Sequence, residues 1–357
     1  MAGTLQSSEV VVSCEELTDI GVSALERLDV PSTDARRTVE VLLYADLRGV
    51  ESHGIQRLLM YVPRVRAGLI KARPNIRIEK VSPVMSLVHG DDGLGQVVAS
   101  RGMSEAIELA KACGLAFVGC RESNHFGAAA PFAQMACDEK LIAIVATNAF
   151  PTMAAWGGSK NVVGNNPFAV GVPCDGDPAF MLDIALSVSS RGRIRGLARA
   201  KQQIPEGWAV DAQGNPTTDP LEALKGFVLP IGGHKGYGLA LAIDMLAGVL
   251  TGAGFADGVK SMLQQGDEPQ HVGHFMLVID PGRFMAWDCF AARMKEIRTT
   301  MRSAPPLNPK QPIMIPGEPE ARLEQQRRVE GIPIAEDAFR LLKGLTQGQY
   351  EYAVPSF

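Results

Sequence analysis

The sequence predicts an α/β protein whose helical ends pack together around a mixed body. Three helical segments run in succession before residue 74, and three more close the chain after residue 285. Between them, short alternating or continuous apolar runs read as strands interleaved with helices. No GxGxxG turn joins a strand to a helix, so a standard Rossmann cofactor site is poorly supported. The expected division is a helical domain, 1–74 plus 285–357, and an α/β body, 75–284, that could itself be two subdomains.

The elements follow from local grammar. Ser13 and Glu16 match a capping box ahead of an amphipathic run that ends near Leu28. Pro31 and Ser32 open a second helix that Gly49 closes, and a third is expected from about Gly54. NIRIEKV and VMSLVHG alternate like strands, followed by a helix from about Val97 to Cys113. LAFVGC, LIAIVATNAF, FAVGVP, FMLDIAL and HFMLVIDPGRF read as further strands. AAAPFAQMACDEK reads as a helix, and the apolar stretch Tyr237 to Leu250 as a buried one, interrupted by Asp244 and too short to span a bilayer. FAARMKEIRTTMRS, EARLEQQRRVEG and EDAFRLLKGL return the chain to helix.

Composition narrows the class. Hydrophobic residues make up 46% and charged residues 21%, as in soluble globular proteins. A formal net charge of −4 argues against nucleic acid as the main partner, and no membrane segment is expected. The six cysteines show neither a CxxC pair nor a zinc-like spacing, which suits a reducing cytosol, and the first residues lack the marks of a secretory signal. The chain is therefore expected in the cytoplasm, with no metal.

Five stretches could carry chemistry. In Ser52-His53-Gly54-Ile55-Gln56-Arg57, a helix start would attract an anion, Arg57 could grip a carboxylate bidentately, and His53 could move a proton. A capped surface helix with an exposed histidine explains the same residues. In Ser123-Asn124-His125-Phe126-Gly127, a loop after a strand, His125 could be a general base and Asn124 an orienting amide; a turn histidine bonded to backbone is the plain alternative. Gly232 to Gly238 sets glycines, His234, Lys235 and Gly236 before a helix, where a pyrophosphate would fit, or marks only a tight turn. Gly90 to Gln96 reads as a structural turn whose two acids would repel phosphate. Asp183, within an apolar strand, is a ribose ligand or a satisfied strand-end carboxylate, and Arg191 with Arg193 reads as a solvated charged turn.

Taken in order, ADLRGVESHGIQRL, GDDGLGQ, SNHFG, WGGSKNVVGNNPFAV, LDIALS, WAVDAQGNPTTDP and GGHKGYGLALAIDMLAGVLTGAGF resemble the malate/L-lactate dehydrogenase family of the non-Rossmann type. That family includes ureidoglycolate and sulfolactate dehydrogenases and the cyclic imine reductases. The resemblance implies a homodimer with a mostly antiparallel central sheet. It further implies hydride transfer between a small 2-hydroxy acid, malate- or lactate-like, and a nicotinamide cofactor. NAD is the expectation, with NADP open, because the arginines between 191 and 201 could accept a 2′-phosphate.

By the same resemblance His125 is the proton acceptor, Arg57 holds the substrate carboxylate, and Ser52-His53 is the acid-base pair of the imine reductases. Asn124 is taken as a further substrate contact. So is Asn165, which stands where relatives often have threonine. Thr147, Asn148, Asp183, Ile184, Ala185, His234, Lys235 and Gly236 fall on cofactor-contacting stretches. Arg193 replaces an acid that the imine reductases carry, which favours a hydroxy acid over a cyclic imino acid. A catalytically silent carboxylate-binding protein is the remaining, non-enzymatic reading.

Overall fold

A computed structural model describes residues 9–262 and 268–352. Strand β1 (Glu9–Val12) leads into α1 (Cys14–Glu26), where the Ser13 hydroxyl accepts the Glu16 backbone N–H at 3.1 Å, one half of the expected capping box. Helix α2 (Ser32–Leu47) begins after Pro31, and Gly49 leaves it at φ 77°. The third helix starts later than the sequence suggests. Residues 51–53 and 55–57 form two tight 3₁₀ turns separated by extended Gly54, and α3 runs only from Leu58 to Arg66.

The body follows in order: β2 (Arg77–Ser82), β3 (Met85–His89), α4 (Gly95–Cys113), β4 (Leu115–Ser123), α5 (Ala130–Asp138) and β5 (Ile142–Thr147). Two-residue and three-residue strands β6 (Met153–Ala154) and β7 (Asn161–Val163) make a small ribbon before β8 (Phe168–Val172) and β9 (Phe180–Ile184). Next come α6 (Arg191–Arg199), β10 (Ala209–Val210), α7 (Pro220–Lys225), β11 (Phe227–Val228), α8 (His234–Asp244) and β12 (Val272–Ile279). Helices α9 (Trp287–Ser303) and α10 (Glu318–Glu330), strand β13 (Ile332–Ala335) and α11 (Glu336–Thr346) complete the chain.

Seven strands form the main sheet in the order β2-β3-β4-β12-β5-β8-β9. Every neighbouring pair is antiparallel except β3–β4. The late strand β12 therefore lies at the centre, between β4 and β5. Its alternation serves two cores: Met276 and Val278 join α4 and α5 on one face, while Phe275 joins Ala240, Ile243 and Ala247 on the other. A third core unites the two ends of the chain. Residues of α1, α2, α3, β13 and α11 pack together there, and β1 pairs antiparallel with β13. Helix α9 buries only Arg298, which reaches the Pro178 carbonyl (2.6 Å) and Glu318 (2.8 Å) beside the sheet.

The apolar helix after Gly236 is not the buried one its composition suggests. It turns at Asp244 into a π-helical turn, Met245–Val249, and leaves Leu239, Met245, Val249 and Leu250 more than half exposed. Asp244 itself is buried because it accepts bonds from Asn148 Nδ2 and the Ala256 N–H, both at 3.0 Å. Among the described residues no helix is long and apolar enough to cross a membrane.

Candidate active site

The ends of β4 and β5 and the start of β12 lie side by side. The turn between α2 and α3 comes down beside them, and the space between holds a cavity of about 490 Å³. His53, Arg57, His125, Thr147, Asn165 and Arg195 are among its walls. The His53 and His125 rings stack, with centroids 5.4 Å apart and planes 25° from parallel. Two motifs separated by more than seventy residues thus converge on one space.

Each histidine has a distinct support. Ser52 Oγ meets His53 Nδ1 at 2.9 Å. His125 Nδ1 faces Tyr61 Oη at 2.7 Å, and Gln270 accepts the His125 backbone N–H at 3.1 Å. Gly95, at the start of α4, lies under this loop; a Cβ there would sit 2.1 Å from the Asn124 carbonyl, so only glycine lets the helix meet the loop. On the other wall Ile55 N–H donates to buried Asp46 at 2.6 Å. The expected anion-binding helix start is therefore occupied by the protein's own carboxylate, and His53 and Arg57 are placed by 3₁₀ turns rather than by one helical face.

The electrostatics suit proton acceptance. Burial, and then the neighbouring Arg57, pushes the His53 imidazole down to about 3. His125 is held well below the usual histidine range, chiefly by burial, then by Arg57 and the other two imidazoles. Both rings are neutral at pH 7. A carboxylate entering beside Arg57 would offset its charge and raise both. Arg57 Nε donates to the Ser52 carbonyl at 2.5 Å and Nη1 meets Met60 Sδ at 3.1 Å, so the guanidinium is fixed in orientation.

A second cavity of about 240 Å³ adjoins the first and shares His53, Gly127, Asn165 and Ser190 with it. Ser52, Asp183, Ala185, Tyr44 and Glu320 line it. Asp183 accepts the Ala129 and Ala130 N–H groups at 3.1 and 2.8 Å, yet burial still raises its carboxyl to about 6. Tyr44 Oη and Glu320 Oε2 are buried with no hydrogen-bond partner among the described residues. Unpartnered acceptors beside small Ala128–Ala130 fit a ligand rich in hydroxyl or amide donors, as a ribosyl nicotinamide is.

The geometry places the remaining expected residues in different ways. Asn124 faces neither cavity. It is 1% exposed and its Nδ2 donates to the Asp92 and Gly93 carbonyls, tying the loop to the Gly90–Gly93 turn. Ile184 points away because strand alternation puts residues 183 and 185 on the cavity side. Asn148 borders the cavity, but its amide is fully engaged by Asp244, the Gly254 carbonyl and the Gly273 N–H. Thr147 Oγ1 likewise donates to the Gly273 carbonyl at 3.0 Å. His234, Lys235 and Gly236, at the start of α8, line neither cavity, and His234 rests edge-on against Trp156. Arg191 is not a solvated turn: it donates to the Leu224 and Gly226 carbonyls on the cavity wall. Arg193 lies over the Trp208 ring at 4.9 Å.

Sequence reading missed Tyr61, Gln96, Asp46 and His274, all buried, since a polar residue inside an apolar helix or strand pattern carries no local mark of its role. His274 Nδ1 meets Thr147 Oγ1 and Nε2 meets Ser123 Oγ, both at 2.8 Å, joining the strand ends below the site.

Comparison with known proteins decides the family. The malate/L-lactate dehydrogenase family matches residues 12–343. The chain belongs to this family. It is 38% identical over 341 residues to the malate/(S)-sulfolactate dehydrogenase of Methanothermus fervidus, covering 94% of this chain and 96% of that protein. It is 33% identical to the NAD(+) ureidoglycolate dehydrogenase of Escherichia coli O157:H7, over 93% of this chain and 94% of the relative. The solved sulfolactate dehydrogenase of Methanocaldococcus jannaschii superposes with a TM-score of 0.89 at 37% identity, covering 95% of this chain and 97% of that one. The mostly antiparallel, non-Rossmann sheet is the family's fold.

Proposed function

We propose that this malate/L-lactate dehydrogenase family member interconverts a small 2-hydroxy acid and its 2-keto acid in the paired cavities, with His125 as proton acceptor. The observation that carries the reading is one wall holding Arg57 beside two stacked neutral imidazoles. Arg57 pairs with the substrate carboxylate and fixes its orientation. His125 then receives the hydroxyl proton in oxidation and returns it in reduction. The bound nicotinamide supplies the hydride acceptor or donor. Asp183, Ala185, Ser52, Tyr44 and Glu320 would hold it in the smaller cavity. Lys235 is a candidate for its outer, phosphate-bearing part.

Charge on the larger cavity favours a doubly anionic acid of the malate or sulfolactate kind over lactate. Arg57, Arg191 and Arg195 line it against the single lining acid Asp257, while Lys225 on the same wall is paired with Glu222 at 2.7 Å. Two further features of the reading have independent support. The exposed apolar face of α8 and the turn after it suits burial against a second copy, a homodimer. Six cysteines without a disulfide suit a reducing cytoplasm.

A panel of malate, lactate, sulfolactate, ureidoglycolate and a cyclic imine, each with NAD and NADP forms, tests the substrate by absorbance of the reduced nicotinamide. The doubly charged hydroxy acids should show the highest kcat/KM. His125→Ala should lower kcat by about 10²- to 10⁴-fold. Full kcat in that variant, with loss in His53→Ala, would transfer the proton-acceptor role to His53.

A further inference from the structure

We infer that Tyr61 and Gln96 are positioning residues that select the tautomer of His125 and so make its Nε2 a base; this rests on the proposed role of His125. Tyr61 is 1% exposed and Gln96 fully buried, and neither lines the substrate cavity. Tyr61 Oη lies 2.7 Å from His125 Nδ1 and 3.1 Å from Gln96 Nε2. Gln96 Oε1 is buried without a partner.

With Nδ1 turned to the buried tyrosine, Nε2 is the nitrogen on the opposite side of the ring. To accept a proton there, the neutral ring must carry its hydrogen on Nδ1. After the transfer both nitrogens carry hydrogen. Nδ1–H therefore persists through the cycle, and Tyr61 Oη must accept from it in both states. The phenol hydrogen then has to go elsewhere, and Gln96 is the group within reach. A half-turn of the Gln96 amide about its Cγ–Cδ bond exchanges Oε1 and Nε2, which have the same shape. It gives the phenol an acceptor, at the cost of the long Gln96 Nε2 contact with the His125 carbonyl at 3.5 Å. The chain reads His125 Nδ1–H to Tyr61 Oη, then Tyr61 O–H to Gln96 Oε1. Burial raises the Tyr61 phenol to about 12, so it keeps its hydrogen and acts as a neutral relay.

A competing contact gives the pair its importance. The Gly127 backbone N–H points at the same Nδ1 from 3.3 Å, and a donor there favours hydrogen on Nε2, the wrong tautomer. Tyr61 Oη is the nearer contact at 2.7 Å and, with its hydrogen directed to Gln96, outweighs the Gly127 N–H as a partner that accepts from Nδ1–H. Without its oxygen, the Gly127 N–H prevails.

The test is ¹⁵N NMR of the full-length protein at neutral pH, with the His125 signals assigned by their absence in His125→Ala. Wild type should show Nδ1–H, and Tyr61→Phe should show Nε2–H. Tyr61→Phe should also lower kcat by about 10²-fold or more while KM moves less than about 3-fold, since a wrong tautomer removes the base without touching the carboxylate grip. Gln96→Glu, which still accepts the phenol hydrogen, should stay active and move the acidic limb of the kcat profile to higher pH, because its charge favours the imidazolium. Gln96→Leu should lose activity. Nε2–H in wild type, or no tautomer change in Tyr61→Phe, overturns the inference. An active His125→Ala would instead remove the base assignment and leave the tautomer result standing.

Discussion

His125 and His234 both stand within two residues of a glycine at the approach to a helix, and they end in opposite circumstances. His125 has its backbone held by Gln270, its ring nitrogen by Tyr61 and its face by His53. His234 is exposed and meets only the edge of Trp156 among the ring contacts. Those partners of His125 come from α3, from the segment before β12 and from the turn after α2. A local motif becomes a dehydrated reactive site only when distant elements supply its partners. The same motif without them remains a rim.

The sharpest way to break the inner wall is through a residue with no side chain. Gly54 separates the two 3₁₀ turns that present His53 and Arg57, and a Cβ there would fall 1.8 Å from Asp46 Oδ1. Asp46 is completely buried and cannot retreat into solvent. Gly54→Ala must displace the turn, and displacements near 1 Å at a catalytic site cost on the order of 10² in rate. kcat/KM should fall by about that factor or more, while circular dichroism reports an intact fold. Unchanged kinetics would mean that the turn does not set the geometry of the wall.

Much of this arrangement was legible in the chain. Caps, breakers and alternation located the helices and strands because those signals are local. The family resemblance named His53, Arg57 and His125, and the geometry brings all three to one cavity. Three kinds of statement were out of reach. The direction of a polar side chain is set by tertiary partners, so Asn124 looked like a substrate ligand and instead ties two turns together. Supporting residues carry no motif: Tyr61 sits inside an apolar helix and His274 inside an apolar strand. The third failure is of scale. An apolar helix such as α8 reads as buried because composition does not say which of its faces the fold covers.

His274 offers a smaller, thermodynamic contrast between wall and rim. Its ring is fully buried and pushed down to about 3 by burial alone. In the unfolded chain it takes a proton below about pH 6.5, whereas the folded protein refuses one until about pH 3. Its contribution is present above pH 6.5 and is lost as pH falls across that window. Asp46 and Asp183, raised by burial to about 7 and about 6, act in the opposite sense and gain protons on folding. Comparing wild type with His274→Gln cancels those two. Urea denaturation between pH 6.5 and 4 should show the slope of stability against pH smaller in the variant by about 1.4 kcal/mol per pH unit. Equal slopes would mean that the folded protein protonates His274 readily.

The smallest effect is expected on the rim itself. Lys235 is exposed at the start of α8, outside both cavities. If it meets the phosphate-bearing part of the cofactor, it does so through water-screened charge, worth at most about 1 kcal/mol. Lys235→Ala should therefore raise KM for the cofactor by about 3- to 5-fold and leave kcat within about 2-fold. The effect should shrink as salt is added, since screening already weakens the contact. A large, salt-independent loss of kcat would place Lys235 with the inner wall and erase the contrast drawn between the two histidine motifs.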